Sequence, residues 1–227
     1  MWLGVLVKEV SNMLIKGGTV VDGTGARGFV ADVRVADGWI TAVEADLKEK
    51  EGEQVIDATG CIVSPGFIES HTHFDGSMWW DGRLDPLPGY GVTTSVMGNC
   101  GFSVAPVHDD EAVRKEVVGI FSFFEDIPSA PFLNNLPWNW RSWPEYKASM
   151  DKNVKAATNY TAFVGHIAIR LAVMGMDAWD RAATPDEIKK MCQILAEAMK
   201  VGAIGMSSNM MDHDGENRAV PSLMAED

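Results

Sequence analysis

Apolar and polar positions change their rhythm once along this chain. From residue 13 to 64 they form short runs. Met13-Leu14-Ile15 leads into Gly17-Gly18, and Thr19-Val20-Val21 into Asp22-Gly23. Asp32-Val33-Arg34-Val35 alternates, and Asp37-Gly38 turns the chain into Trp39-Ile40-Thr41-Ala42-Val43. Alternation with period two marks half-buried strands, and Asp-Gly between two of them is a hairpin signal. Gln54-Val55-Ile56-Asp57 and Cys61-Ile62-Val63 complete what reads as a small β-meander, and Pro65-Gly66 separates it from the rest of the chain.

After residue 65 the pattern becomes strand, loop, helix, repeated. Residues 67–70, 92–97, 160–165 and 203–207 read as strands. Ser142-Trp143-Pro144-Glu145 and Thr184-Pro185-Asp186-Glu187 have the form of capping boxes with proline near the first turn. The helix after Thr184 places Ile188, Met191, Ile194, Leu195 and Ala198 on one face, with Gly202 as a C-cap candidate. Strands alternating with helices predict an α/β fold with a parallel sheet and helices outside it. The visible strands are about half of the eight in a closed (β/α)8 TIM barrel. The expected division is therefore a small β segment over 1–64 and about four βα units of a barrel over 65–227. The stretch from 125 to 143 holds Pro128, Pro131, Pro137, Trp138, Trp140 and Trp143. It predicts an ordered loop packed on the barrel rim, because so many aromatics are costly to leave in water.

Composition narrows the partners. Hydrophobic residues make up 46% of the 227 and charged residues 22%, an ordinary globular balance. Net charge is −13, and no basic stripe is present, which argues against a nucleic-acid partner. Cys61, Cys100 and Cys192 are too few and scattered for a disulfide framework, so a cytoplasmic protein is expected. The apolar opening at residues 1–7 has no basic flank or small-residue cleavage site and does not read as a signal peptide. No run reaches membrane-spanning length, so no membrane partner is expected.

The chemistry concentrates at His71-Thr72-His73, where the first strand after residue 65 ends. Histidines at i and i+2 on an extended chain point to one side, and imidazole is the commonest protein metal ligand. The C-terminal end of a barrel strand is where barrel enzymes keep their chemistry. Taken alone the pair is half of a metal site.

Pro65-Gly66-Phe67-Ile68-Glu69-Ser70-His71-Thr72-His73, following Asp57-Ala58-Thr59-Gly60 and a β segment, resembles the amidohydrolase superfamily. In that superfamily a small β-sandwich precedes a metal-bearing barrel. Gly98-Asn99-Cys100-Gly101, together with Phe74-Asp75, resembles its N-acyl-D-amino-acid deacylase branch, whose cysteine is a zinc ligand. The likeness continues through Glu125-Asp126-Ile127-Pro128, Leu136-Pro137-Trp138, Val164-Gly165-His166, Val173-Met174-Gly175 and Gly202-Ala203-Ile204-Gly205, so it spans nearly the whole chain.

The resemblance implies that His71, His73 and Cys100 bind Zn2+, as one ion or two. A mixed nitrogen and thiolate set suits zinc, and a zinc-bound thiol is deprotonated. In relatives outside the branch a lysine carbamate bridges the metals, and Cys100 would take that place. Asp75 is expected to orient a ligand histidine or its loop, Asn99 to shape the cysteine loop, and His166 to contact substrate or a ligand. His108 and His213 read as exposed, Cys61 and Cys192 as core.

The implied reaction is metal-dependent hydrolysis of the amide of a small N-acyl-D-amino acid. In the family the remaining histidine ligands and a general-base aspartate lie on later strands, so no catalytic base is assigned within this chain. The chain is expected to be the N-terminal portion of the enzyme, inactive alone and dependent on the C-terminal half of the barrel in the same or another chain. The alternatives are a cyclic-amide hydrolase of the dihydroorotase or hydantoinase type, and a non-catalytic zinc-binding half-barrel. Gly98-Asn99-Cys100-Gly101 argues against the cyclic-amide type.

Overall fold

A computed structural model describes residues 12–225, so the apolar opening at 1–7 lies outside the described residues. The chain divides into two compact units between Pro65 and Gly66. The first holds β1 (Asn12–Val20), β2 (Phe29–Ala36), β3 (Trp39–Glu44), β4 (Gln54–Asp57) and β5 (Ile62–Val63). Its sheet runs β3-β2-β1-β4, with β5 also on β1. Asp37 and Gly38 take φ of 50° and 80°, and their neighbours Ala36 and Trp39 pair, as the Asp-Gly signal predicts.

Two expectations for this unit change. The runs on either side of Gly17-Gly18 form one strand, not two, with a register shift between Ile15 and Gly18. Asp32 makes this possible, because its Oδ1 accepts the Gly17 N–H at 2.8 Å. The unit is also no meander, since β4 and β5 both run parallel to β1. β2 occupies one edge of β1, so the later strands take the other edge, and the connection from β3 must carry the chain back before β4 begins. Buried Arg34 pins that connection. Its Nε donates to Glu53 Oε1 at 2.6 Å and its Nη2 to the Lys48 carbonyl at 2.5 Å. Asp32 Oδ2 accepts the Leu47 N–H at 2.9 Å.

The second unit contains β6 (Phe67–Glu69), α1 (Phe74–Ser77), β7 (Val92–Met97), α2 (Glu111–Glu125), α3 (Ser129–Asn135), α4 (Trp143–Asn153), β8 (Asn159–Ala162), β9 (Val164–Gly165), α5 (His166–Met174), α6 (Pro185–Lys200) and β10 (Met206–Ser207). It is a mixed α/β fold. β6, β7 and β8 pair in that order, all parallel, and β9 pairs parallel with β10. The strand expected over 160–165 is divided at Phe163. Its first half bonds to β7 and its second to β10, and the Phe163 N–H still reaches the Met97 carbonyl at 2.9 Å.

The core packs Met97, Phe102, Phe121, Phe132, Trp140 and Tyr146, all nearly inaccessible. The stretch from 125 to 143 is more ordered than a loop, because α3 lies inside it. Trp140 is fully buried, with its indole N–H on the Val104 carbonyl at 2.8 Å, so it serves packing. Cys61 and Cys192 are exposed, contrary to the expected core role. Cys61 sits in the turn before a two-residue strand, and α6 is only partly covered: Ala198 is buried but Ile188 is half exposed. Among the described residues no helix is long and apolar enough to cross a membrane.

Both capping boxes form. At α6, Thr184 Oγ1 accepts the Glu187 N–H at 3.3 Å, and Glu187 Oε2 accepts the Thr184 N–H at 2.8 Å. Arg181 grips the same carboxylate at 2.8 Å, which with these bonds holds Glu187 well below the usual carboxylate range. Thr184→Ala is expected to lower unfolding free energy by about 1 kcal/mol in urea titrations, and Thr184→Ser to keep most of it.

Candidate metal centre

Each donor-bearing segment is shaped by the neighbouring strand. β6 ends at Glu69, so His71 and His73 lie just past it rather than within it. The chain stays alternating there because Thr72 is buried and bonded to β7. Its N–H and Oγ1 both donate to the Val96 carbonyl, at 3.0 and 2.8 Å. With Thr72 turned into the fold, the flanking histidines share the other side. His73 is fixed further by stacking on Phe102, with ring centroids 4.5 Å apart.

The cysteine arrives from the end of β7. Gly98, Cys100 and Gly101 take φ of 68°, 54° and 80°. Gly98 needs to be glycine twice over, for its left-handed backbone and because a β-carbon would collide with the Phe163 carbonyl. Asn99 ties the cysteine turn to the histidine segment: its Nδ2 donates to the Val96 carbonyl at 3.0 Å and to the Thr72 carbonyl at 3.4 Å. Asp75 contacts the cysteine loop rather than a histidine, its Oδ2 accepting the Gly98 N–H at 3.3 Å.

His71, His73 and Cys100 come together, each offering a donor atom within 4.8 Å of the others. His71 Nε2 lies 3.0 Å from Cys100 Sγ. His73 Nε2 lies 3.5 Å from Glu125 Oε1, and its Nδ1 is buried with no hydrogen-bond partner. A buried, unsatisfied nitrogen is costly. Together with an N,N,S donor set, that fits a divalent ion of the zinc class.

The electrostatics are those of a half-dry cavity. Burial, with His71 adding to it, pushes His73 down to about 4, so its ring is neutral at neutral pH. A neutral ring is the form that binds metal. Burial raises Cys100, helped by the negative charges of Glu125 and Asp212. Burial also pushes Asp75 up to about 7 and raises Glu125.

The cavity around the three donors has a volume of about 590 Å3 and is also lined by Glu69, Phe74, Leu87, Glu125 and Ile127. Glu125 has no motif spacing that points to this cavity. It is delivered by the last turn of α2, which only the tertiary packing decides. His166 is not brought to the cavity. It faces a different one, beside Arg170 and Leu195, with Nδ1 3.0 Å from Ser208 Oγ. His108 is half-buried rather than exposed, its Nδ1 accepting the Asp110 N–H at 3.0 Å ahead of α2. His213 is exposed, as expected, in the loop after β10.

The sequence pattern of the amidohydrolase family matches residues 54–226. The chain is 35% identical over 198 residues to the D-aminoacylase of Alcaligenes xylosoxydans xylosoxydans, covering 87% of this chain and 37% of that protein. It resembles a solved D-aminoacylase structure described by its binuclear metal centre. There the TM-score is 0.73 and identity 33%, over 94% of this chain and 40% of the other. It also resembles an N-acyl-D-glutamate deacylase from Bordetella bronchiseptica solved with zinc and a phosphonate inhibitor. There the TM-score is 0.70 and identity 31%, over 90% of this chain and 39% of the other. The chain thus spans well under half the length of these relatives.

Asn99→Ala is expected to cost roughly 1–3 kcal/mol in chemical denaturation, because it removes a buried amide that ties the two donor-bearing loops and leaves the Thr72 carbonyl unpaired.

Proposed function

Because the chain belongs to the amidohydrolase family, in the branch that holds D-aminoacylase, we propose that it supplies the His71, His73 and Cys100 side of a zinc centre that hydrolyses N-acyl-D-amino acids. The observation that carries this reading is the convergence of those three donors within 4.8 Å at the wall of one cavity. One or two Zn2+ ions fit the donor chemistry, and a bound ion supplies Lewis acidity to the amide carbonyl and to an attacking water. His73 contributes a neutral ring kept so by burial. Cys100 contributes an anionic sulfur once its proton is displaced, which lowers the net charge of the centre. The cavity of about 590 Å3 is of a size for a small acylated amino acid.

In this reading β6 to β10 are the opening βα units of a (β/α)8 barrel, and β1 to β5 belong to a small β-sandwich. The parallel order β6-β7-β8 and the parallel β9–β10 pair support the first assignment. Phe67 and Ile68 on β6 are about two-thirds exposed, as expected of a strand that awaits a neighbour. The remaining ligands and the general base come from a further part of the barrel, in this or another chain. The site is cytoplasmic, consistent with free cysteines, and works on a small molecule rather than on nucleic acid or membrane.

Metal analysis tests the ligand assignment: His71→Ala and Cys100→Ala are each expected to strip zinc, and unchanged metal content in both would overturn it. Activity tests the incompleteness. Purified 1–227 supplied with zinc is expected to release no amino acid from N-acyl-D-amino acids, and robust release would show that the base lies within these residues.

A further inference from the structure

Cys100 is the one residue with a side chain among the three left-handed positions of its turn. Such a backbone is disfavoured for a residue with a β-carbon and persists only when surrounding contacts over-determine it. Those contacts come from strands far along the chain. Ser207, in β10, donates its hydroxyl to the Gly98 carbonyl at 2.5 Å and accepts the Gly101 N–H at 3.0 Å. One oxygen therefore bridges the first and last residues of the turn. Gly101 is held from its other end as well, its carbonyl accepting the Ile167 N–H at 2.7 Å. β10 itself is pinned to β9 through the pairing of Ser207 with Gly165. Gly165 has no room for a β-carbon against the Gly101 carbonyl, so β9 and the turn pack backbone to backbone. The turn has few ways to move while the Ser207 hydroxyl is in place.

We propose that Ser207 is a positioning residue for Cys100. It acts without touching a bound ion: by closing the turn from Gly98 to Gly101 it aims the sulfur at the point shared with His71 and His73. The role requires a donor and an acceptor on one atom, which a hydroxyl has and a methyl group lacks. The inference rests on the proposed reading of Cys100 as a metal donor, and the experiment separates the two.

The test uses the whole chain, freed of metal and titrated with Co2+. Two quantities are read: the thiolate-to-cobalt charge-transfer absorption, and the affinity by competition with a chelator. Cys100→Ala is expected to abolish the absorption. Ser207→Ala is expected to weaken binding about ten- to a hundredfold, the usual effect of losing an outer partner of a ligand, and to shift or diminish the absorption. Ser207→Thr should restore both. Ser207→Val, of the same shape as threonine but without the hydroxyl, should not. Ser103→Ala is the structural control. Ser103 Oγ donates to the Ala105 carbonyl at 2.6 Å and accepts the Gly165 N–H at 3.2 Å, without bonding to the turn. It should lower Tm and leave cobalt binding as it is.

If Cys100→Ala keeps the absorption and affinity, Cys100 is no ligand and the inference falls with that reading. If Cys100→Ala loses them while Ser207→Ala binds cobalt like the parent, Cys100 remains a ligand and Ser207 is only a sheet residue. Should Ser207→Ala not fold, the threonine and valine variants decide at equal volume, and equal affinity and spectra in those two would overturn the inference.

Discussion

The carbonyl of Val96 is where the two halves of the donor cluster are joined. It receives the N–H and the hydroxyl of Thr72 from the histidine segment and the amide of Asn99 from the cysteine turn. A buried carbonyl must be paired, and here one acceptor is shared by donors from both segments. The consequence reaches past local stability. Because Thr72 is drawn inward, His71 and His73 face the cavity together. Because Asn99 is drawn to the same oxygen, Cys100 is presented beside them. The donor geometry is thus a by-product of satisfying backbone polar groups at the ends of two adjacent parallel strands.

Around this joint the structure places few mobile charges. His73 stacks on Phe102 with the edge of Phe121 nearby, and Asp75 is sealed beneath the cysteine turn, with its own carbonyl accepting the Tyr146 hydroxyl at 3.0 Å. Burial works against every charged form in such a place, which keeps the imidazole neutral and favours the protonated thiol and carboxyls. A divalent cation held there would reverse that balance, since it would be the largest local charge and would favour thiolate and carboxylate alike. Glu125, which lines the same cavity, stands 3.5 Å from a His73 nitrogen and would feel such a change.

Much of the fold was legible in the sequence. The Asp37-Gly38 hairpin, the capping boxes at Ser142 and Thr184 and the strand at 92–97 depend on short-range chemistry, and each forms. What failed was long-range. The β-segment looked like a meander because adjacent strands in sequence usually pair, but Arg34 and Asp32 anchor a connection that makes β4 parallel to β1. Cys61 and Cys192 looked like core residues from their places in the β-segment and on a helix, and both are exposed because their elements are little covered. His166 shares the strand-end position of a ligand, but opens onto another cavity.

The sequence by itself determined which residues could bind a metal and in what kind of fold, because His-x-His and Gly-Asn-Cys-Gly are local patterns whose chemistry travels with them. Only the tertiary structure decided which of these residues meet. That choice depended on partners far away in the chain: Val96 for the histidines, Ser207 for the cysteine turn, and the end of α2 for Glu125. Hydrogen bonds between strand ends leave no periodic mark along the chain, since a single carbonyl or hydroxyl makes each of them. They become visible only when the sheet has brought those atoms together.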